Sequence, residues 1–371
     1  MPTVAIDVGP LHGHRSGVGT AVAGTLAALR ALGPGAVELV PYLVSARARP
    51  EVGTRRLPVP AAVAHRWWER SSRPRADRRL GRPDVVHGTN YVVPPARAPR
   101  LVSVYDCWFL EHPDEVVPDV ARAARLLRRA VGEGAHVVTS SRATEERARE
   151  LLGTDRVSTV HLGPPEPADA GGPPGPDDRR VDLPDDLRDE PFVLALGTVE
   201  RRKDVPTLVR AFALLAAEHE TVRLVLAGAP GDDAEAVAAA VAALDEGARR
   251  RVHLLGAVDA GVKSALLAHA TALAYPSLDE GFGFPVLEAQ AAGTAVVASS
   301  AGSIPEVAGR GALLGLPGDA HALAANLHWV VTDRTRRASL VEHGRANLDR
   351  FSWQRTAHEL ADLYRTLAEE A

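Results

Sequence analysis

Short apolar runs of strand-like composition alternate with helix-like stretches twice along the chain, and this double alternation restricts the fold more than any other feature. Val4-Ala5-Ile6 leads through a Gly-containing loop into a helical pattern over Ala21 to Leu32; Val85-Val86, Leu101 to Val104, Val137 to Ser140 and Val157 to His161 follow as strands. Phe192 to Leu196, Arg223 to Ala227, Val252 to Leu255, Ala272 to Tyr275 and Ala295 to Ala298 repeat the pattern. Apolar strands separated by helices form parallel sheets covered on both faces. The expectation is therefore an α/β chain of two Rossmann-like domains. Between the two series, Gly163 to Pro191 is rich in Pro, Gly and Asp and reads as a linker. The expected division is 1–163, a linker over 164–190, a second domain over 191–350 and a terminal helical segment over 351–371. A chain of 371 residues is long enough to give each domain its own core.

Several function classes are disfavoured by composition. No apolar run reaches the roughly 18–20 residues of a membrane span, and MPTVAIDVGPL runs directly into a strand rather than a secretory signal. A single cysteine, Cys107, fits a reducing cytosol. Only Lys203 and Lys263 are lysines, against abundant Arg, Ala and Pro, which suggests a GC-rich bacterial genome. The net charge of −4 hides an asymmetry: up to Gly163 basic residues exceed acidic ones by seven, and beyond it acidic residues exceed basic ones by eleven. The basic half suits an anionic acceptor or a membrane face, or is ordinary solvated surface; no nucleic-acid partner is expected. Trp67-Trp68, set among arginines, reads either as a membrane-facing patch or as core packing, and core packing is preferred.

The chemistry-bearing stretch is Asp279-Glu280-Gly281-Phe282-Gly283-Phe284-Pro285-Val286-Leu287-Glu288. Gly281 and Gly283 allow close approach of backbone to a ligand. Pro285 fits a first helical position, so Val286 to Ala292 is expected as a helix ended by Gly293, with Glu288 in its first turn and a diphosphate held by amides at its N-terminus. Arg202 and Lys203 follow the strand ending at Leu196, where an open α/β sheet binds ligands, and a guanidinium beside an ammonium suits a diphosphate. Arg201 is expected in solvent. Gly17 and Gly19, in His14-Arg15-Ser16-Gly17-Val18-Gly19, form a second loop whose amides can face phosphate, although Val22 spoils a dinucleotide fingerprint. No Cys or His spacing matches a metal motif, so no metal site and no cofactor are expected.

The 279–288 window and its continuation AQAAGTAVVASSAGSIPEVAG resemble the Glu-x7-Glu signature of family 4 of the retaining glycosyltransferases. ALGTVERRKDVPTLVRAF resembles the opening of that family's donor domain, PDVVHGTNYVVPPARAPRLVSVYDCWFLEHPDEV its acceptor domain, and RFSWQRTAHELADLYRTL its terminal helix. The resemblance implies the GT-B fold, with two Rossmann-like domains facing across a cleft and the last helix returning to the N-terminal domain. It implies transfer from a nucleoside-diphosphate sugar to a hydroxyl acceptor (a saccharide, lipid-linked sugar or natural product), without metal and with retention. Glu288 would hold the ribose, Glu280 the transferred sugar, and Arg202, Lys203 and the amides of Gly281, Phe282, Gly283 and Phe284 the leaving diphosphate, whose oxygen takes the acceptor proton. The glycine loop of Gly17 and Gly19 would close over the donor phosphates. GTVERRKD resembles a mannosyltransferase-rich branch, which makes GDP-mannose the first expected donor. One position departs from the family: Val104-Tyr105-Asp106 carries tyrosine where many relatives have a cleft histidine. A phenol can hydrogen-bond a sugar hydroxyl but cannot titrate near neutral pH as imidazole does, so a catalytically silent nucleotide-sugar-binding partner stays open as an alternative. Other GT-B enzymes, an epimerase or a phosphorylase, are disfavoured by the Glu-x7-Glu loop. The resemblance fits a cytoplasmic protein, with peripheral attachment at the inner membrane face as a further expectation.

Overall fold

A computed structural model of the chain describes residues 1–12, 17–48, 52–164, 183, 187 and 190–370. It divides into two compact units, Met1–Gly163 with Phe351–Ala371, and Pro164–Arg350. The first contains β1 (Thr3–Asp7), β2 (Glu38–Val44), β3 (Arg55–Leu57), β4 (Val85–Gly88), β5 (Arg100–Val104), β6 (His136–Thr139) and β7 (Val157–Thr159). Their order is β3-β2-β1-β4-β5-β6-β7, with every neighbouring pair parallel. The second contains β8 (Phe192–Leu196), β9 (Arg223–Ala227), β10 (Val252–Gly256), β11 (Ala272–Tyr275), β12 (Ala295–Ser299) and β13 (Ala312–Gly315), ordered β10-β9-β8-β11-β12-β13 and again parallel throughout.

Both orders reverse at one place, between β1 and β4 and between β8 and β11. Such a switch point leaves a crevice at the carboxyl ends of the strands, where open α/β sheets bind ligands. Burial follows from helices covering both faces. Along β8, Val193 and Ala195 join one apolar cluster while Phe192, Leu194 and Leu196 join the other, as the two-residue period of a strand requires. In the first unit Ala5 faces one cluster, and Val4 and Ile6 the other.

The strands β2, β3 and β13 lack a clear sequence signal. Pro41 interrupts β2, and proline ordinarily argues against an interior strand; β3 is a three-residue charged edge. The expected linker falls mostly outside the described residues. Leu183 and Leu187, which lie in it, are instead buried in the second unit's core. The terminal helix Trp353–Glu369 places Ala357, Leu360, Tyr364 and Leu367 against Val22, Leu26 and Leu29 of the helix Gly17–Ala31. These residues recur at helical spacing and so form one apolar stripe.

Candidate functional site

In the second unit three of the groups named from sequence, Arg202, Lys203 and Glu280, meet at the β8/β11 switch point. A 3-10 turn, Arg201–Lys203, follows β8. It is stitched to the 278–280 segment by the Leu278 amide donating to the Arg202 carbonyl at 2.7 Å and by Arg202 Nη1 donating to the Asp279 carbonyl at 2.9 Å. Arg202 Nη1 then lies 2.8 Å from Glu280 Oε2, and Lys203 Nζ 2.6 Å from Glu280 Oε1. Ser277 Oγ donates to the same Oε1 at 3.0 Å, and Lys203 Nζ also donates to Tyr275 Oη at 2.8 Å. Glu280 is buried. Burial by itself would raise its pKa, but the two cations outweigh that effect and hold the carboxyl at about 2. The site is thus a buried, fully ionised carboxylate clasped by two cations. A recess lined by Gly197, Val199, Lys203, Tyr275 and Ser277 opens beside it.

The backbone explains why the loop holds this shape. Gly283, with φ of 88°, caps the helix Phe284–Ala292. Gly302, with φ of 51°, leaves space that a side chain would fill, since a Cβ there would lie 2.4 Å from the Glu280 carbonyl oxygen. That carbonyl accepts the Ser303 amide at 2.8 Å.

Three sequence expectations need correction here. Gly281, Phe282 and Gly283, expected from sequence to present backbone amides to a diphosphate, are buried, with the Phe282 ring meeting that of Phe284 edge-on at 5.2 Å. The helix starts at Phe284, making Pro285 its second residue and placing Glu288 beyond the first turn. Glu288 does not join the Glu280 cluster; it pairs with Lys263 of the helix Ala260–His269, 2.8 Å away. Each of the chain's two lysines therefore neutralises one carboxylate of the Glu-x7-Glu motif. Lys263, Tyr275 and Ser277 escaped the sequence reading, although the rarity of lysine was a usable signal for the first. Arg201 is exposed, as expected.

In the first unit, Gly17 and Gly19 are not in a loop. They are the first and third residues of the helix Gly17–Ala31, which starts four residues before the expected Ala21; glycine costs little in a first turn, where amides lack intrahelical partners anyway. His14, Arg15 and Ser16 lie outside the described residues. Tyr105 follows β5 and lines a recess with His87, Thr89, Ser103 and Ser140. Burial raises its pKa, a hydrogen bond with Ser103 lowers it, and nearby Asp7 raises it further, so the phenol stays protonated. Its ring meets Tyr91 edge-on at 6.1 Å. Beside it is a histidine that sequence gave no reason to select. His87, at 1 % exposure, has Nδ1 2.7 Å from Tyr364 Oη and Nε2 2.9 Å from Ser103 Oγ, and burial lowers its pKa to about 3. Asp7 ends β1 at the same switch point; burial raises its pKa to about 6, against the lowering effect of the Gly9 amide. His112 stacks on Trp108 at 3.9 Å, a packing role. Trp68 is buried, whereas Trp67 is 52 % exposed, so the tryptophan pair divides between core and surface.

Comparison with known proteins agrees with this geometry. The family described as glycosyl transferases group 1 matches residues 184–347. The match lies within the second unit and covers less than half of the chain. Among curated relatives, O-antigen chain mannosyltransferase B of Escherichia coli is 33% identical over 178 residues, 47% of this chain and 46% of that protein. D-inositol 3-phosphate glycosyltransferase of Xylanimonas cellulosilytica is 33% identical over 243 residues, 62% of this chain and 56% of that protein. The chain thus spans about half the length of these relatives. Sucrose-phosphate synthase from Thermosynechococcus elongatus superposes with a TM-score of 0.74 at 20% identity, covering 100% of both chains. Anabaena HepE, in complex with UDP and glucose, superposes with a TM-score of 0.72 at 16% identity, covering 99% of this chain and 100% of that one. The chain accordingly has two parallel-sheet α/β domains of the fold seen in these structures, and the family match lies in the second of them. Among the described residues no helix is long and apolar enough to cross a membrane.

Proposed function

We propose that this chain is a group 1 glycosyltransferase, a retaining, metal-independent family 4 enzyme that moves a hexose from a nucleoside diphosphate to a hydroxyl acceptor. The observation that carries the reading is the Glu280, Arg202 and Lys203 cluster at a sheet switch point. With no ligand, the two cations are satisfied by Glu280. An arriving diphosphate offers them more negative charge, and the same groups then stabilise the charge that develops on the leaving phosphate. Glu280 is released to accept from sugar hydroxyls, and Glu288 is assigned to the ribose. Tyr105 is assigned a hydrogen-bonding role toward the transferred sugar or acceptor, as a donor that stays neutral. GDP-mannose is the proposed donor, supported by the mannosyltransferases among the relatives; the acceptor is a saccharide, lipid-linked sugar or natural product. A cytoplasmic location with peripheral membrane attachment belongs to the same proposal. Its support is Val63 and Trp67, exposed on one face of the helix Ala61–Trp68 with exposed Arg66 and Arg70 nearby.

Calorimetric titration with GDP tests the reading. Losing one charge-assisted contact costs about 1.5–3 kcal/mol, so Lys203→Ala should weaken binding roughly ten- to hundredfold, whereas Arg201→Ala should leave it unchanged. Equal affinity of parent and Lys203→Ala would remove the phosphate assignment. Turnover should survive chelation, and NMR of the product should show the donor's anomeric configuration; an inverted product defeats the mechanism.

A further inference from the structure

We propose that Glu218, His219 and His328 form a second site, for a divalent transition-metal cation of the zinc class, at the far end of the helix that leads away from the Arg202 and Lys203 turn. Glu218 ends the helix Val205–Glu218 and His219 caps it, while His328 projects from the helix Ala320–Thr332. His219 Nε2 lies 3.1 Å from His328 Nδ1, which in turn lies 2.9 Å from Glu218 Oε2. One ligand atom from each residue falls within 4.8 Å of the others.

Protons serve this arrangement poorly. His328 Nδ1 faces a carboxylate oxygen and an imidazole nitrogen at once, and an imidazole nitrogen carries one proton at most. If His219 donates to His328 Nδ1, that nitrogen has no proton to offer the Glu218 carboxylate 2.9 Å away. If His328 donates to Glu218, the His219 lone pair must share the same proton or go without. A cation satisfies all three lone pairs together. Zinc takes imidazole nitrogen and carboxylate oxygen at about 2.0–2.2 Å in tetrahedral array, so His328 Nδ1 needs to move only slightly from its two neighbours to admit it, with the Glu218 and His219 atoms, within 4.8 Å of each other, as the third edge. Three protein ligands leave a fourth position for water, and two imidazoles with one carboxylate suit zinc, copper or nickel better than magnesium or calcium.

Two further features favour a cation here. The C-terminal end of a helix carries roughly half a negative charge, and Glu218 and His219 sit at one. The backbone there is also held in advance: Arg251 donates to the carbonyls of Ala216 at 3.0 Å, His219 at 2.5 Å and Val222 at 3.3 Å. Sequence shows no metal motif because the two histidines are 109 residues apart. The helix Val205–Glu218 spans about 20 Å, which separates this site from the Lys203 end and gives the cation a structural task, clamping two helices of the second unit.

The test uses the full chain without an affinity tag, freed of metal with EDTA and titrated with zinc chloride by calorimetry. Parent protein should bind one zinc per chain saturably, and its melting temperature should rise with zinc, since a ligand that binds only the folded state stabilises it. His219→Gln, His328→Gln and Glu218→Gln should each weaken binding by more than about tenfold, the loss that follows even from removing an outer-shell partner. Glu218 is 64 % exposed in its side chain, so its glutamine variant does not threaten folding, and metal-free melting of all three variants provides the control. Absence of saturable binding in the parent, or equal zinc affinity in parent and all three variants, overturns the proposal.

Discussion

In the first unit, the strand across the switch point, β4, buries an uncharged imidazole; in the second, the loop after β11 buries an ionised carboxylate. His87 is met by two hydroxyls, Tyr364 and Ser103, and burial drives its pKa to about 3. Glu280 is met by a guanidinium and an ammonium, and remains ionised to about pH 2 although burial acts against it. The same sheet order thus serves opposite electrostatic ends, decided by the partners supplied. A neutral network is satisfied within itself and fixes a shape. A charged cluster whose cations can exchange one anion for another is suited to a ligand that carries anions.

The largest effect is expected from breaking the charged cluster. Glu280→Ala removes the carboxylate that Lys203 and Arg202 share, although Arg202 keeps Glu200 at 3.3 Å, and removing one partner of a buried ion pair costs about 3–5 kcal/mol. Calorimetric melting should show the second unit's transition falling well below the parent's; an unshifted transition means that the cluster is solvated and the contrast false. Acid should act in the same direction. The Glu280 pKa is lower folded (about 2) than its ordinary 4.5, so its stabilisation is present above pH 4.5 and lost as pH falls toward 2. In Glu280→Gln this part of the acid response should vanish.

The neutral network should yield less. Tyr364→Phe leaves His87 Nδ1 buried without a partner, at a cost of about 1–3 kcal/mol, and the first unit's transition should fall while the second's stays. Two groups make the first unit's acid response flatter. His87, at about 3 against an ordinary 6.5, loses stability as pH falls from 6.5 toward 3. Asp7, at about 6 against 3.8, contributes stability that is full below pH 3.8 and lost as pH rises through 6. Between pH 6 and 4 the two oppose, so parent and His87→Gln should diverge more in that window than parent differs from itself. Coincident pH profiles would show that His87 is not buried neutral.

Smallest in stability, and confined to function, is Tyr105→Phe. It removes one hydroxyl from the first unit's recess, so melting should change little while turnover with a nucleotide-sugar falls. Full turnover would strip the phenol of its proposed role, and a parent inert toward every donor and acceptor tried would shift weight to a binding partner without catalysis.

Local pattern made much of this legible. Strand and helix periods recur within a few residues, so ten of the strands could be placed from sequence, and with them two parallel sheets. Adjacent or nearly adjacent residues also stayed together: Arg202 with Lys203 in one turn, and Glu280 on the loop before Gly283. Strands β2, β3 and β13 were not legible, because Pro41 and the short edges have no period to read; their places come from pairing with β1, β2 and β12.

The sequence by itself determined the layers, the loop and the charges available. Only the tertiary structure decided which charge meets which partner: Lys203 with Glu280 across 77 residues, Tyr364 with His87 across 277, and His219 with His328 across 109. Such partners are chosen by how helices settle over a sheet, and a contact between distant segments leaves no periodic trace in either one. For the same reason the partner of Glu288, Lys263, could not be read from sequence.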